Sequence, residues 1–329
     1  MQFLLLLVGF TLLIKGADLF VEGSSSVAKK FHIPSMIIGL TIVAMGTSAP
    51  EAAVSISSSL IGQNDMSVAN VVGSNIFNIL IVLGMSTLIN KLPVNKGTIK
   101  KDTPILIFVT GLLLLFAINL HISLLEGLIF LGVFTWFIYS MVKESMNNKQ
   151  EESEDVKELP MLKTLMYIIL GLVGIVFGGN LTVEAATKIA IQFGITENLI
   201  GLTIVAVGTS LPEFVTSILA TKKGETDIAI GNVIGSNIFN ILFVLGIASV
   251  ISPMTISFVS VIDIIASIVI TIILFINMKK HNCLLNKHGM LYIIIYVGYI
   301  LCVYSFFNCI QINLYSIKKN MFFCIQNFL

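Results

Sequence analysis

The chain has 329 residues, 56% hydrophobic and 11% charged, and its 19 basic residues, all Lys, nearly balance 18 acidic ones to a net charge of +1. So much apolar surface cannot be hidden in one water-soluble core, and a near-neutral chain offers no nucleic-acid-binding surface. The composition is that of a polytopic membrane protein.

A helix needs roughly 17 to 25 apolar residues to cross the hydrocarbon. Ten candidate spans follow, near 2–27, 35–60, 67–90, 104–119, 122–142, 161–187, 198–221, 227–250, 256–277 and 289–308. The first, "MQFLLLLVGFTLLIKG", has no basic residue ahead of it and no small-residue cleavage pattern, so it reads as a span and not as a removable signal. The second contains "VAMGTSAPEAAVS", which places Glu51 inside an apolar run. A charged side chain at mid-bilayer costs about 2.5 to 3.5 kcal/mol on insertion scales, so it needs a compensating charge. No Lys lies nearby, and a bound cation is the simplest source. Pro50 removes a backbone donor and Gly46 loosens the preceding turn, so a break is expected that frees carbonyls such as that of Ala44. In the third span Asn70, Ser74 and Asn78 recur every fourth residue and form one polar stripe.

Lysines follow spans one, three, five, seven and nine: Lys29 and Lys30, Lys91 to Lys101, Lys143 to Lys157, Lys222 and Lys223, and Lys279 to Lys287. The intervening loops "GQND", "INLH", "QFGITEN" and "ISPM" contain none. The positive-inside rule puts the lysine-rich loops in the cytoplasm and both termini outside. Lys188, Lys318 and Lys319 are exceptions. The hydrophilic stretch 143–160 reads as a cytoplasmic tether too short to fold.

The later spans repeat the earlier ones. At an offset of 162, residues 38–84 and 200–246 match without a gap at 29 of 47 positions. Glu213, Gly208, Pro212 and Ala206 then correspond to Glu51, Gly46, Pro50 and Ala44, and Asn232, Ser236 and Asn240 to the polar stripe. The offset extends weakly to Gly16 with Gly178, Glu22 with Glu184, and Gly127 with Gly289, so the unit is a five-span half. An odd number of spans inverts the second half, an arrangement typical of secondary transporters. The expected fold is therefore an all-α membrane protein of ten transmembrane helices in two inverted-topology five-helix repeats. Its parts are 1–142, the linker 143–160, 161–308, and a tail 309–329.

Hydroxyls, amides, carbonyls and carboxylates are hard oxygen donors suited to Na⁺ and Ca²⁺, and neither repeat carries a thiolate or imidazole for softer metals. Ser, Thr and Asn also serve as glue between membrane helices, a role the duplicated glutamates do not share. Asp18, Glu22, Glu184, Asp65 and Asp227 fall near span ends, where interfacial or packing roles are expected. The single histidines 32, 121, 281 and 288 and the cysteines 283, 302, 309 and 324 have no metal or redox spacing, and the cysteines read as free thiols.

"GTSAPE" and "GTSLPE", with "NVVGSNIFNILIVLG" and "NVIGSNIFNILFVLG", resemble the two alpha-repeats of the cation/calcium exchanger superfamily, in particular its prokaryotic sodium/calcium exchanger branch. The resemblance implies an antiporter that moves Na⁺ against Ca²⁺ by alternating access. It also implies Glu51 and Glu213 as central ligands, with Thr47, Ser48, Ser74, Asn78, Thr209, Ser210, Ser236 and Asn240 around them. By the same resemblance the carbonyls of Ala44 and Ala206 would contribute, three Na⁺ would exchange for one Ca²⁺, and spans one and six would slide over the rest, with Gly16 and Gly178 as hinges. Related exchangers often carry Asp at the position of Asn78 or Asn240, so Asn at both leaves a K⁺-dependent or H⁺-driven antiporter open. Asn-Ala precedes the Glu in proton-coupled relatives, and "GTS-P-E" favours Na⁺. Ser48 with Glu51 has no His or Lys base and G-x-S-x-G is absent, so no enzyme activity is expected. No cofactor and no obligate protein partner is implied beyond the transported Na⁺ and Ca²⁺ and the surrounding membrane lipid.

Overall fold

The computed structural model describes residues 1–147, 159–194 and 206–303. Most of the linker, the start of the expected seventh span, and the tail with Cys309, Cys324, Lys318 and Lys319 lie outside the described residues.

The described chain is almost entirely helical. In chain order the helices are α1 (Gln2–Lys30), α2 (Ser35–Thr47), α3 (Ala49–Leu60), α4 (Asn64–Ile89), α5 (Thr103–Ala117), α6 (Leu124–Asn147), α7 (Met161–Gln192), α8 (Leu211–Lys222), α9 (Thr226–Ile251), α10 (Phe258–His281) and α11 (Asn286–Val303). Seven of these are long and apolar enough to cross a membrane, or eight when α2 and α3, bent by 50° at Ser48, count as one span. The expected fourth and seventh spans fall outside that number. α5 has only 15 residues, because the turn before it, Thr98–Asp102, is π-helical and carries Lys100, Lys101 and Asp102. The seventh is described only from the short turn Ala206–Gly208 onward.

Pro50 explains the bend, because it has no N–H to give to the carbonyl of Gly46 four residues earlier. Proline at the start of a new helix costs nothing, since the first N–H groups have no intrahelical partner anyway. Pro212 does the same at the start of α8.

Four two-residue strands clip the connections between helices. β1 (Leu92–Pro93) pairs antiparallel with β4 (Cys283–Leu284), and β2 (His121–Ile122) with β3 (Met254–Thr255). α5 lies between β1 and β2, so the two clips sit at opposite ends of the bundle.

Two apolar clusters organise the packing. The larger surrounds α4 and α9, where Ile76, Ile79, Leu83, Ile238, Ile241 and Leu245 are all fully buried. The smaller joins α1 to α7 and α8 through Leu13, Ala17, Phe20, Ile175 and Ala220. α1 and α7 approach backbone to backbone: a Cβ on Gly16 would stand 2.6 Å from the Ile175 amide nitrogen, and one on Gly178 2.4 Å from that of Leu13. Both helices run unbroken through these positions, so the glycines form a close crossing and mark no kink. The outward faces carry Leu7, Phe108, Leu125, Trp136, Leu162 and Phe177, all exposed, as a lipid-facing surface would.

Candidate functional site

Glu51 and Glu213 lie in the first turns of α3 and α8, immediately after the two prolines. Both side chains are fully buried. Each reaches into the other repeat: Ser210 Oγ donates to Glu51 Oε1 at 3.0 Å, and Ser48 Oγ donates to Glu213 Oε1 at 2.7 Å. Ser236 Oγ approaches Glu213 Oε1 at 3.5 Å. The second oxygen of each carboxylate, Oε2, is buried without a hydrogen-bond partner.

The supporting amides repeat in the same way. Asn70 Nδ2 donates to Ser55 Oγ and Asn232 Nδ2 to Ser217 Oγ, each at 2.9 Å. The same two amides approach the carbonyls of Glu51 and Glu213 at 3.4 Å, so each ties a carboxylate-bearing helix to its neighbour. Thr47 Oγ1 donates to Asn232 Oδ1 at 3.0 Å and couples the end of α2 to α9.

Of the remaining predicted residues, Ser74 and Asn78 lie on α4, Asn240 on α9, and Thr209 next to Ser210. Ser74, Asn78 and Asn240 are buried, and Ser74 Oγ, Asn78 Oδ1, Asn240 Oδ1 and Thr209 Oγ1 have no partner. Ser236 Oγ lies 3.4 Å from the Ala44 carbonyl. That carbonyl is not freed by the break, because it keeps an intrahelical partner in the Ser48 N–H at 3.0 Å. The carbonyl that loses its donor at Pro50 is that of Gly46, two residues further on. Ala206 is the first described residue of its segment.

Asn75 and Asn237 escaped the reading of the sequence. Each donates its Nδ2 to the other's backbone carbonyl at 3.1 Å, across the α4–α9 contact. Asn78 Nδ2 donates to Asn237 Oδ1 at 3.1 Å and Asn240 Nδ2 to Asn75 Oδ1 at 3.2 Å. π-helical segments, Asn78–Leu83 and Asn240–Leu245, begin at those same two residues. Widened turns of this kind are frequent at functional sites. The signal for Asn75 and Asn237 was their identity at the repeat offset.

The outlying acidic residues have local partners. Asp65 Oδ1 accepts from the Ser257 N–H at 2.9 Å and Ser260 Oγ at 2.8 Å, and Asp227 Oδ2 accepts from Asn95 Nδ2 at 2.8 Å. Lys223 pairs with Asp18 at 2.8 Å and lies 3.8 Å from Glu22. Glu184 pairs with Lys188. Among the described residues no group of three or more His, Cys, Asp and Glu comes together, so the charge of the site rests on the two glutamates.

A buried carboxylate without a countercharge costs several kcal/mol even after relaxation. Here two carboxylates are fully buried, and four neutral oxygens of the predicted residues are buried without a donor. Hard oxygen donors of this kind are the chemistry that Na⁺ and Ca²⁺ prefer.

Comparison with known proteins identifies the family. The profile of the sodium/calcium exchanger protein family matches residues 1–143 and 163–305. The putative antiporter CaxA of Alkalimonas amylolytica is 46% identical over 254 residues, 75% of this chain and 80% of its own. The sodium/calcium exchanger MaX1 of Methanosarcina acetivorans is 32% identical over 298 residues, 78% of this chain and 85% of its own. A solved structure of the sodium-calcium exchanger NCX_Mj superimposes with a TM-score of 0.82 at 31% identity, covering 91% of this chain and 98% of that one. With matches over most of its length and a shared membrane fold, the chain belongs to the sodium/calcium exchanger family, among the prokaryotic-type cation/calcium exchangers.

Proposed function

We propose that the protein is a secondary antiporter, not an enzyme, that exchanges Na⁺ for Ca²⁺ by alternating access in a prokaryotic cell membrane. The observation that carries this reading is the set of buried, partnerless oxygens on Glu51, Glu213, Ser74, Asn78, Thr209 and Asn240. These residues, with Thr47, Ser48, Ser210, Ser236 and the carbonyls of Ala44 and Ala206, form the ion site. Two carboxylates balance one Ca²⁺, or share several Na⁺, so the two ions compete for the same oxygens. The similarity to MaX1, a sodium/calcium exchanger, supports Na⁺ and Ca²⁺ as the pair.

In this reading the bundle has ten spans. The fourth is α5 with its preceding π-turn, and the seventh is the broken helix ending in α8. The halves insert in opposite orientations, with both termini outside. The reciprocal contacts of Ser48 with Glu213 and Ser210 with Glu51 are what two inverted repeats facing one another would make. If three Na⁺ enter for each Ca²⁺ expelled, one net charge moves per cycle, worth about 2.3 kcal/mol per 100 mV, and extrusion depends on voltage.

The test is ⁴⁵Ca²⁺ uptake into proteoliposomes loaded with Na⁺, K⁺ or acid, comparing wild type with Glu51→Gln and Glu213→Gln. Uptake is expected only from Na⁺-loaded vesicles, and either substitution reduces it by about a hundredfold or more, the factor that corresponds to breaking a buried charged contact. Uptake driven equally by protons, requiring K⁺, or indifferent to both carboxylates would reject the assignment.

A further inference from the structure

We propose that Asn75 and Asn237 are positioning residues that determine which end of the Asn78 and Asn240 amides faces the ion. The proposal rests on the reading of this pocket as the Na⁺/Ca²⁺ site.

A carboxamide has one end that can bind a cation and one that repels it, and the two ends are nearly the same size. An Asn among cation ligands is therefore useful in one orientation only, a difficulty that Asp, with two acceptor oxygens, does not have. The hydrogen bonds resolve it in three steps. A backbone carbonyl can only accept, so the bond from Asn237 Nδ2 to the Asn75 carbonyl, at 3.1 Å, fixes the Asn237 amide with its Oδ1 turned the other way. That oxygen can only accept, so the Asn78 amide must present its NH₂ to it, as it does at 3.1 Å. The Asn78 Oδ1 is then left pointing away, buried and without a partner. The opposite arm runs from the Asn237 carbonyl through Asn75, at 3.1 Å, to Asn240, at 3.2 Å, and leaves Asn240 Oδ1 equally bare.

All four amides are at most 1% exposed, so water has little access to substitute for a lost partner or relax a reversed amide. Reversing Asn78 would set oxygen against oxygen at Asn237 and turn an NH₂ group toward the ion. The relay thus makes acceptors of two neutral, non-titrating side chains. Each arm starts and ends on one helix and passes through an amide of the other, so ligand orientation depends on α4 and α9 keeping their register.

A double-mutant cycle on Ca²⁺ transport separates positioning from general support. Asn237→Ala alone is expected to raise the KM for Ca²⁺ about tenfold, the scale of one buried hydrogen bond, with little change in maximal rate. In an Asn78→Asp background the same change should shift KM by less than about twofold, or lower it, because Asn237 Oδ1 then faces another acceptor. Asn75→Ala with and without Asn240→Asp should repeat the pattern on the second arm. An equal penalty in both backgrounds, no change in KM for either alanine variant, or failure of the alanine variants to elute as folded protein in both backgrounds would overturn the proposal. The upward shift of Tm by Ca²⁺ reports binding in the same variants without any gradient. If wild-type uptake proved independent of Na⁺, the exchange reading would fail while the cycle, read by Tm, would still decide on the relay.

Discussion

Two pairs of helices occupy corresponding places in the two halves, and they are built from different materials. In the α4–α9 pair 72% and 78% of the apolar stretch is buried inside the protein, against 33% and 22% in the α1–α7 pair. The inner pair interlocks isoleucines and leucines and adds four amides that bond across the contact. The outer pair meets along Gly9, Gly16, Gly171, Gly174 and Gly178, with one hydroxyl contact near its end, Ser26 with Thr164 at 3.0 Å. Interdigitated side chains hold one register, because displacement opens voids and breaks hydrogen bonds. Backbones in contact through glycine lack such teeth, and close approach of this kind is a common solution in membranes. In the proposed alternating-access cycle, the difference would suit an inner pair that stays in place with the proposed ion ligands and an outer pair that slides across it.

Three substitutions sharpen that contrast. Ile241→Ala, at the centre of the inner pair, should cost about 2 to 5 kcal/mol through loss of transfer energy and an unfilled cavity. A marked fall in Tm in detergent would register it, and a Tm unchanged within error would mean the inner pair is less tightly packed than described. Gly178→Val, in the outer pair, should cost about 1 to 3 kcal/mol by overpacking. Its sharper readout is kinetic: turnover falls while the KM for Ca²⁺ stays within about twofold, since the site itself is untouched. A change confined to KM would contradict the division of roles. Lys223→Gln removes the ion pairs that tie the end of α8 to Asp18 and Glu22 on α1. All three side chains are about a third exposed, so the loss should be below about 1 kcal/mol and should shrink further in high salt.

Much of this was legible in the sequence. Apolar runs located the helices, though α1 reaches Lys30 and α10 reaches His281, beyond the apolar residues that betrayed them. Lysines can end such helices because their long side chains carry the charge out to water. The Gly-Thr-Ser-x-Pro-Glu motif foretold the break, since a missing N–H is a local property, but the donor is lost at the Gly46 carbonyl, two residues beyond Ala44. The strand clips could not be read, because two residues carry no alternation. Nor could the roles of Asn75 and Asn237, which sit one residue from Ser74 and Ser236 and off the every-fourth-residue stripe. Their function lies in the partner helix, and single-helix periodicity does not describe partners. The pairing of each Glu with the opposite repeat's Ser was likewise invisible until both halves were assembled.

That last pairing has a consequence for how the protein is made. Ser48 finds its acceptor on Glu213, and Asn75 its partner on Asn237, 165 and 162 residues later in the chain. At about 5 to 20 residues per second the ribosome needs on the order of ten seconds to supply them. Until then Glu51 lacks the donor that Ser210 supplies, and Asn75 and Asn78 lack the partners that α9 supplies. If the first half enters the bilayer before the second is made, these groups stay unpaired there for that interval, at the cost of polar atoms left without partners in hydrocarbon.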